Sequence, residues 1–284
     1  SNNQGQANVR CAHLRAVGAL FCMVGMFGCA SVPKVAVTPE SLSEKQVTFK
    51  AQGMTLAGTL CWPDTQAEQV PAVLIAHGSG PQSRDGFMGG QLNMGFGFQI
   101  PVYAELAWGL CEAGFAVLRY DKRTCGPFNN CYDNEYTLQQ DTMPQSFVAD
   151  MKAGLDFLHG LEGVDERYLF VVGHSQSAQF VPSLMREDKR IDAGIMLASP
   201  YQSIDKILLS QTKSSKNLMA QLEVPEHVAE AQLERLRKLN SDLKALRDQT
   251  FDGDKIGGVS PAFWREWMTM GEKAPTHARY LQKP

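Results

Sequence analysis

Four short apolar runs alternate with helical patterns between residues 46 and 200, and this alternation limits the folds open to the chain. The runs are Ala72–Ala76, Phe115–Tyr120, Leu169–Val172 and Ala193–Ala198. Runs of this length are typical of strands buried on both faces of a parallel sheet. The sequence therefore predicts an α/β fold with a doubly wound, mostly parallel sheet. Val47–Ala51 and Met54–Trp62 are predicted to form a hairpin ahead of it.

From Tyr201 to Pro284 the pattern changes to helices without strands. One long helix is predicted to begin at Pro225, with five leucines on one stripe. Ser260 followed by a proline predicts the start of another helix. We expect these helices to form a cap inserted into the α/β core, the alternative being a plain helical extension packed on the sheet. The aromatic residues of the last helix either line an acyl pocket or form the cap's own core: Phe263, Trp264 and Trp267.

The resulting domain organisation has four parts. Residues 1–30 are predicted to be an export signal, 31–45 a linker, 46–200 the α/β core and 201–284 the helical cap. The length of 284 residues with 44% apolar composition is sufficient for one large core. A net charge of −3 and a pI near 6.1 predict no basic face, so nucleic acid is not an expected partner.

The N-terminus has the pattern of an export signal. Arg10 and Arg15 precede or flank the entry to Ala16–Phe27, twelve residues without charge, and small residues follow. Such a helix would rise only about 18 Å against a hydrocarbon core of about 30 Å, so a stable span is not predicted. The residues up to Cys29 resemble a bacterial lipobox, which predicts an envelope lipoprotein held at the membrane by an acylated Cys29. Cleavage after Ala30 with secretion is the alternative, and an unprocessed N-terminus is a third possibility.

Export would place the cysteines in an oxidising compartment. Cys61 and Cys111 lie in predicted core elements and are expected to be buried thiols. Cys125 and Cys131 lie in a polar loop, and the sequence leaves a disulfide or two free thiols open for them. No CxxC pair and no His/Cys cluster has zinc spacing, so no metal site is expected.

The residues around Ser175 predict a strand, a sharp turn and a helix. The strand Leu169–Val172 leads into the turn, and a helical pattern over Gln179–Arg186 follows. A nucleophile placed on such a turn needs small residues two positions before and after it, because the strand and helix pass close together. Gly173 and Ser177 meet this need, although the usual pattern has glycine at the second position. We therefore predict Ser175 as a catalytic nucleophile, against the alternative of a structural serine in a tight turn.

A second motif, His77-Gly78-Ser79-Gly80-Pro81, follows the strand Ala72–Ala76. A tetrahedral oxyanion needs two N–H donors that are already aimed at it. One is expected from Gln176, the residue after the nucleophile, and the other from this loop. Ser79 is the predicted loop donor, with Gly80 as the alternative. His77 is expected to anchor the loop by hydrogen bonds rather than to act in catalysis, and no cofactor is expected.

Together with Phe115–Arg123, these motifs resemble the α/β-hydrolase superfamily, in particular bacterial esterases of the dienelactone-hydrolase-like and serine-aminopeptidase-like group. The likeness covers about residues 44 to 201. It implies the α/β-hydrolase fold, an acyl-enzyme on Ser175 and a small-molecule ester or acyl substrate. It also implies structural roles for Asp121 and Arg123 rather than a role as the catalytic acid.

In this fold the nucleophile is followed along the chain by the acid and then by the histidine. Two further strand–helix units need about 50 residues or more, and the sequence ends at Pro284. We therefore expect a part of a longer protein that lacks the last strands, the acid and the histidine, and that is weak or inactive by itself. Neither His227 nor His277 is expected to be the base.

Three functions remain open from the sequence. The leading hypothesis is an exported esterase that acts on acyl esters of modest size. A peptidase or amidase would use the same residues, because no sequence feature separates the leaving groups. A non-catalytic envelope lipoprotein that keeps the fold for binding is the third hypothesis.

Overall fold

A computed structural model describes residues 37–88, 100–125, 142–221 and 224–279. In chain order, the elements are β1 (Ser43–Ala51), β2 (Met54–Trp62), β3 (Val70–Ala76), β4 (Phe87–Met88), β5 (Ile100–Pro101), α1 (Val102–Glu112), β6 (Ala116–Tyr120), α2 (Pro144–His159), β7 (Val164–His174), α3 (Gln176–Glu187), β8 (Ile191–Leu197), α4 (Ile204–Gln221), α5 (Glu226–Arg247) and α6 (Pro261–Arg279).

Six strands form the main sheet in the order β1-β2-β6-β3-β7-β8. The pairs of β3 with β6, β3 with β7 and β7 with β8 are parallel, whereas β1 with β2 and β2 with β6 are antiparallel. This mostly parallel sheet, flanked by helices, confirms the predicted fold class. β8 is the edge strand of the described sheet and leaves apolar side chains exposed, namely Ile195, Met196 and Leu197. The further strands expected beyond it stay a prediction.

Apolar side chains fill both faces of the central strands. Leu74, Leu118 and Val171 are fully buried on the face covered by α2, where they join one large cluster. Val73 and Val117 belong to a second cluster on the face covered by α1. The central strands are continuous apolar runs in the sequence because each of them buries residues on both faces of the sheet.

Gly154 lets α2 approach the sheet closely. A Cβ atom at this position would lie 2.8 Å from a methyl group of Leu74. Such a contact is too short for a larger residue unless Leu74 or the helix shifts, and the packed core would then be disturbed.

One prediction about the cysteines is wrong. Cys61 on β2 and Cys111 on α1 are buried as expected, but they form a disulfide and are not thiols. Their Cα atoms are 6.1 Å apart, a separation that suits a disulfide. The cross-link joins residues 50 positions apart and is expected to stabilise the fold by about 4 kcal/mol. Sequence reasoning missed it because the two cysteines meet only when α1 packs on the sheet.

The predicted hairpin is present, but its first strand begins four residues earlier than predicted, at Ser43. Residues 43–46 are polar and give no apolar signal, yet they pair with residues 59–62 of β2. β7 likewise begins at Val164, five residues before the predicted start, because Val164 pairs with Val70 ahead of an irregularity in the ladder. The short hairpin of β4 and β5 was not predicted.

Helices α4, α5 and α6 form the helical segment, as expected for the region after residue 200. Four of the leucines predicted on the stripe of α5 are buried, and Leu239 is half-buried. α6 packs against α3 and α2, where Phe263 contacts Phe147 with ring centroids 6.4 Å apart. Trp264 and Trp267 are 4% and 3% exposed and stack on each other. These aromatic residues are therefore packed interior, which favours the cap-core alternative over an open acyl pocket.

Within the described ranges, no helix combines the length and the apolar character that crossing a membrane requires. The predicted signal, including Ala16–Phe27 and Cys29, lies outside these ranges. Export, lipidation and the predicted domain boundaries therefore stay predictions.

Candidate active site

Ser175 occupies the turn between the end of β7 and the start of α3. Its φ of 51° and ψ of −106° are rare for a residue with a side chain, and strained backbone of this kind is concentrated at functional sites. Gly173 allows the close approach that the turn needs, because a Cβ atom there would lie 2.8 Å from the backbone nitrogen of Ala178. The strand, turn and helix predicted from the sequence are thus present.

Two backbone hydrogen bonds hold this turn in place. The N–H of Ser175 donates to the carbonyl oxygen of Leu197 at the end of β8, at 2.9 Å. The N–H of Ser177 donates to the carbonyl oxygen of His77 at 3.2 Å. The turn is therefore connected to the neighbouring strand on one side and to the loop after β3 on the other.

The loop after β3, which we call the β3 loop, comprises residues 77–82 and is held by side chains from three places in the chain. The N–H of Gly78 donates to the Tyr103 hydroxyl at 3.0 Å and to Oε1 of Gln82 at 3.2 Å. Nε2 of Gln82 donates to the carbonyl oxygen of Ser79 at 3.2 Å. Nζ of Lys122 donates to the carbonyl oxygen of Gly78 at 2.6 Å.

These bonds use three of the four backbone polar groups of Gly78 and Ser79. The fourth is the N–H of Ser79, which has no acceptor among the residues that the structure describes. Ser79 is only 6% exposed, and buried backbone N–H groups are nearly always paired. An N–H group in this position is ready to donate to a ligand.

The N–H of Gln176 has the same character. It is the first residue of α3, whose leading N–H groups have no partner within the helix. No acceptor for it lies within the described ranges. The positive end of the helix dipole adds to the attraction for negative charge at this point. The Gln176 side chain turns to Lys122, whose Nζ donates to Oε1 at 2.8 Å.

His77 lies at the base of the β3 loop and is buried. Its Nε2 contacts the carbonyl oxygen of Tyr120, and its ring meets the Tyr103 and Tyr120 rings edge-on. Burial, with a further contribution from the charge of Lys122, lowers the pKa of His77 to about 3. The ring is therefore neutral near pH 7, and its bond to Tyr120 is the kind of anchoring contact predicted from the sequence.

His174, directly before Ser175, is held by a residue that sequence reasoning missed. Its Nδ1 lies 2.9 Å from the hydroxyl of Tyr103, which also donates to Oε1 of Gln82 at 2.5 Å. Burial and the charge of Lys122 lower the pKa of His174. Tyr103 thus connects the β3 loop to the turn of Ser175. A single tyrosine at the start of a helix gives no sequence signal for such a role.

Buried ion pairs lie below the loops. Arg84 binds Asp121 through several bonds, the shortest of 2.6 Å, and both side chains are 2% exposed. Arg123 binds Asp150 at 2.6 Å. Asp121 and Arg123 therefore have the structural contacts that the resemblance implied. Arg84 and Lys122 were not predicted, because their partners come from distant parts of the sequence.

Neither His227 nor His277 is brought to this site, as expected from the sequence. His277 lies on α6 with Nδ1 2.7 Å from the Ser183 hydroxyl, and Ser183 is about 12 Å along α3 from Ser175. His227 is exposed on α5. Cys125 is disulfide-bonded, but Cys131 lies outside the described residues, so the pairing of these two stays a prediction. The part of the chain that is described holds no group of three or more residues suited to bind a metal ion.

Two solved structures align with parts of this chain. Est1E from Butyrivibrio proteoclasticus aligns with a TM-score of 0.40 and 22% identity over 57% of this chain and 54% of that chain. A hypothetical protein from Pseudomonas aeruginosa aligns with a TM-score of 0.46 and 17% identity over 87% of this chain and 73% of that chain.

Sequence comparison gives a family. A protein of Thermotoga maritima named Esterase EstD is 27% identical over 186 residues, which are 64% of this chain and 38% of that protein. This chain thus spans less than half the length of that relative. The family described as "Serine aminopeptidase, S33" matches residues 92–284, well over half of the chain. The chain therefore belongs to the serine aminopeptidase family S33.

Proposed function

We propose that the full-length protein is a serine hydrolase that cleaves carboxylic esters through an acyl-enzyme on Ser175. The observation that carries this proposal is the backbone of Ser175, a non-glycine residue with a φ of 51° at the N-terminus of α3. A turn of this kind exposes a serine hydroxyl at the carboxyl ends of the strands, where ligands of open α/β sheets bind.

The N–H groups of Ser79 and Gln176 would form the oxyanion hole. Both belong to buried residues, and neither has an acceptor within the described ranges. The hydrogen bond between Ser177 and His77 holds the two segments next to each other. Donors fixed in advance stabilise the developing oxyanion without reorganisation during the reaction.

In the reaction, the Ser175 oxygen forms a bond to the ester carbonyl carbon, and its proton passes to a general base. The tetrahedral intermediate then breaks its bond to the alcohol oxygen, and the alcohol leaves with that proton. Water attacks the acyl-serine in the same way, which releases the carboxylic acid and restores the hydroxyl. We propose that the base and its acid partner come from sequence beyond residue 284, in the order usual for this fold.

An ester is the favoured substrate because the Thermotoga maritima relative is named an esterase. Peptide or amide cleavage is the second candidate, since the family is described as a serine aminopeptidase family. Both reactions pass through the same acyl-enzyme, so matched ester and amide substrates with one acyl group separate them. If the protein is an esterase, we expect the ratio of the catalysed to the uncatalysed rate to be larger for the ester than for the amide.

The nucleophile is tested with a fluorophosphonate probe on the full-length protein. We expect one adduct on Ser175, and a loss of about 10⁴-fold or more in kcat in Ser175→Ala. Ser183→Ala, a serine replacement further along the same helix, serves as the matched control and is expected to keep its activity. Labelling at another residue, or equal labelling of Ser175→Ala, would show that Ser175 is not the nucleophile.

We also propose that the mature protein begins at an acylated Cys29 and is anchored in the cell envelope. The support is the pattern of basic, apolar and small residues before this cysteine. Expression in a bacterial host with labelled palmitate should label the wild type and Cys22→Ser but not Cys29→Ser. Label retained in Cys29→Ser contradicts the anchor, as does a mature N-terminus at Ser31.

A further inference from the structure

Lys122 is a buried cation that joins both sides of the candidate site. It follows β6 directly and is 3% exposed. Its Nζ donates to the carbonyl oxygen of Gly78 at 2.6 Å and to Oε1 of Gln176 at 2.8 Å. The same nitrogen lies 4.3 Å from the centre of the Phe147 ring. Burial of an ammonium group costs desolvation free energy, which bonds to polar groups such as these offset.

The hydrogen bond from Lys122 to the carbonyl oxygen of Gly78 affects the N–H of Ser79, which is one of the two proposed oxyanion donors. The carbonyl of Gly78 and the N–H of Ser79 belong to one planar peptide group. A cation that holds the oxygen of this group therefore also fixes the direction of the N–H. Hydrogen bonds in chains polarise one another, so a charged donor on the carbonyl makes the N–H on the other side a stronger donor.

The bond to Gln176 reaches the second proposed donor. The Gln176 side chain is tied to Lys122, and its own N–H is the first of α3. One ammonium group thus bonds to the peptide group of one donor and to the side chain of the other. The backbone of Lys122 adds a further link, because its N–H donates to the carbonyl oxygen of Gln82 at 3.1 Å.

The charge of Lys122 also acts through space in the interior around the site. Its positive charge helps to lower the pKa of both His77 and His174, after the larger effect of burial. A field that disfavours a proton on the residue before Ser175 would favour a negative oxygen next to Ser175. Such interactions are strong where water is excluded.

We propose that Lys122 is a positioning residue for the oxyanion hole, which orients and polarises the Gly78–Ser79 peptide and holds Gln176 beside it. The inference rests on the proposed hydrolase function and assigns to Lys122 a contribution to transition-state stabilisation. Loss of one oxyanion donor costs about 10²- to 10³-fold in kcat, and here the donor remains but is weakened. We therefore expect a loss of about 10- to 100-fold for Lys122→Met.

The test compares Lys122→Met, Lys122→Gln and Lys122→Arg in the full-length protein, with 4-nitrophenyl butyrate as substrate. Lys152→Met, which removes an exposed lysine of α2, is the matched control. The Met variant should lose kcat with KM changed by less than about threefold, since the interaction strengthens in the transition state. Its rate of fluorophosphonate labelling at Ser175 should fall by a similar factor. Lys122→Arg keeps the charge but presents a larger, planar donor group, so it should recover part of the kcat that Lys122→Met loses.

The outcomes separate this inference from the function on which it rests. If Ser175→Ala still hydrolyses the ester, the proposed function itself fails. If Ser175→Ala is inactive but Lys122→Met keeps kcat within twofold of the wild type, only the role of Lys122 is overturned. A loss in Lys122→Met that Lys122→Arg does not restore at all, or that appears entirely in KM, also overturns it.

The Gln variant keeps the test decisive if Lys122→Met does not fold. Gln retains an N–H donor and removes the charge, so folding is preserved more easily. We expect the kcat of Lys122→Gln to lie between those of the Met and Arg variants. Its thermal unfolding midpoint should lie within a few degrees of that of the wild type. An unchanged kcat in a folded Lys122→Gln overturns the inference.

Discussion

The ends of the central strands and the helical segment differ in where they hold their charges. In the core, Arg84 and Asp121 are each 2% exposed, and Lys122 is 3% exposed. In the helical segment, Arg247 is 36% exposed and Lys238 is 74% exposed. The interior of that segment consists instead of stacked aromatic rings and leucines. The ends of the central strands therefore hold charges in fixed, buried positions at a cost in stability, whereas the helical segment does not.

The two regions place different demands on their charged side chains. Buried ion pairs seldom stabilise a fold more than apolar packing would, because desolvation offsets much of their attraction. Their presence below the β3 loop and the Ser175 turn is best explained by the geometry that they impose there. The helical segment mainly buries apolar surface, and most of its charges are more exposed than those of the core.

Asp121→Ala should show the largest effect. It would remove the buried carboxylate that binds the Arg84 guanidinium at 2.6 Å, and breaking a buried ion pair costs about 3–5 kcal/mol of stability. Asp121 also accepts the backbone N–H of Arg84 at 2.9 Å, next to the β3 loop, so activity should fall as well. Urea unfolding and the kcat of the full-length protein measure both effects.

Asp242→Ala is the matched control for this change. Asp242 pairs with the exposed Lys238 on α5, and exposed pairs contribute about 0–1 kcal/mol. We expect a small loss of stability and unchanged kcat. Equal effects of the two substitutions would remove the distinction between the two regions.

Trp264→Ala should cost slightly less, about 3 kcal/mol, through the cavity that it leaves. The indole is 4% exposed, stacks on Trp267 and donates to the carbonyl oxygen of Ile256 at 2.9 Å. Because the ring is packed interior, we expect the same relative kcat/KM over a series of acyl-ester lengths. A shift between short and long esters in a folded variant would instead place this aromatic stack in the acyl pocket.

The sequence predicted those features that a short stretch of residues determines by itself. The buried strands followed from apolar runs such as Ala72–Ala76, and the turn at Ser175 followed from the small residues on either side of it. The stripe of leucines on α5 likewise identified its buried face. In each of these segments, the order of apolar, polar and small residues is enough to predict which side chains are buried or closely packed.

The sequence could not predict features that depend on distant partners. The Cys61–Cys111 disulfide joins residues 50 positions apart, and the bonds of Lys122 reach residues 44 and 54 positions away. Tyr103 is linked to His174 across 71 positions. These contacts exist only after α1, β3 and β7 are assembled, so the residues look ordinary in the sequence. The contacts of Lys122 and Tyr103 were therefore not predicted, whereas the sharp turn that carries Ser175 was.

His77→Gln should change how stability depends on pH. The folded pKa of His77, about 3 because of burial and the Lys122 charge, lies below its ordinary value of 6.5. The unfolded chain thus binds the proton first, and the contribution of His77 is complete above pH 6.5 and lost as the pH falls towards 3. Between pH 6.5 and 4.5 the wild type should lose about 1.4 kcal/mol per pH unit from this group. Urea titrations in this window should show a flatter dependence in His77→Gln.

His277→Gln is the comparison from the helical segment. The pKa of His277 is lowered by burial and by the charges of Arg186 and Lys273, but the side chain is only half-buried on α6. Its effect should have the same sign and a smaller size. A slope that changes more in His277→Gln than in His77→Gln would contradict the contrast between the two regions.

Arg247→Ala should have a small effect, although the Arg247 guanidinium makes four hydrogen bonds. Its guanidinium binds Asp205 at 2.6 and 2.8 Å, Glu272 at 2.9 Å and Ser203 at 3.0 Å, and so connects α5 with α4 and α6. Since the Arg247 side chain is 36% exposed, water screens these charges in part, although Asp205 is only 11% exposed. We expect a loss of about 1 kcal/mol or less in the free energy of unfolding, and a smaller loss in 1 M salt.

Arg237→Ala is the control for this change. The partner of Arg237, Glu234, lies 3.5 Å away on an exposed face, so this variant should lose less still. A loss above about 3 kcal/mol that salt does not reduce would mean that Arg247 behaves like the buried pairs of the core. The number of bonds would then matter more than their burial, and the difference drawn between the two regions would no longer hold.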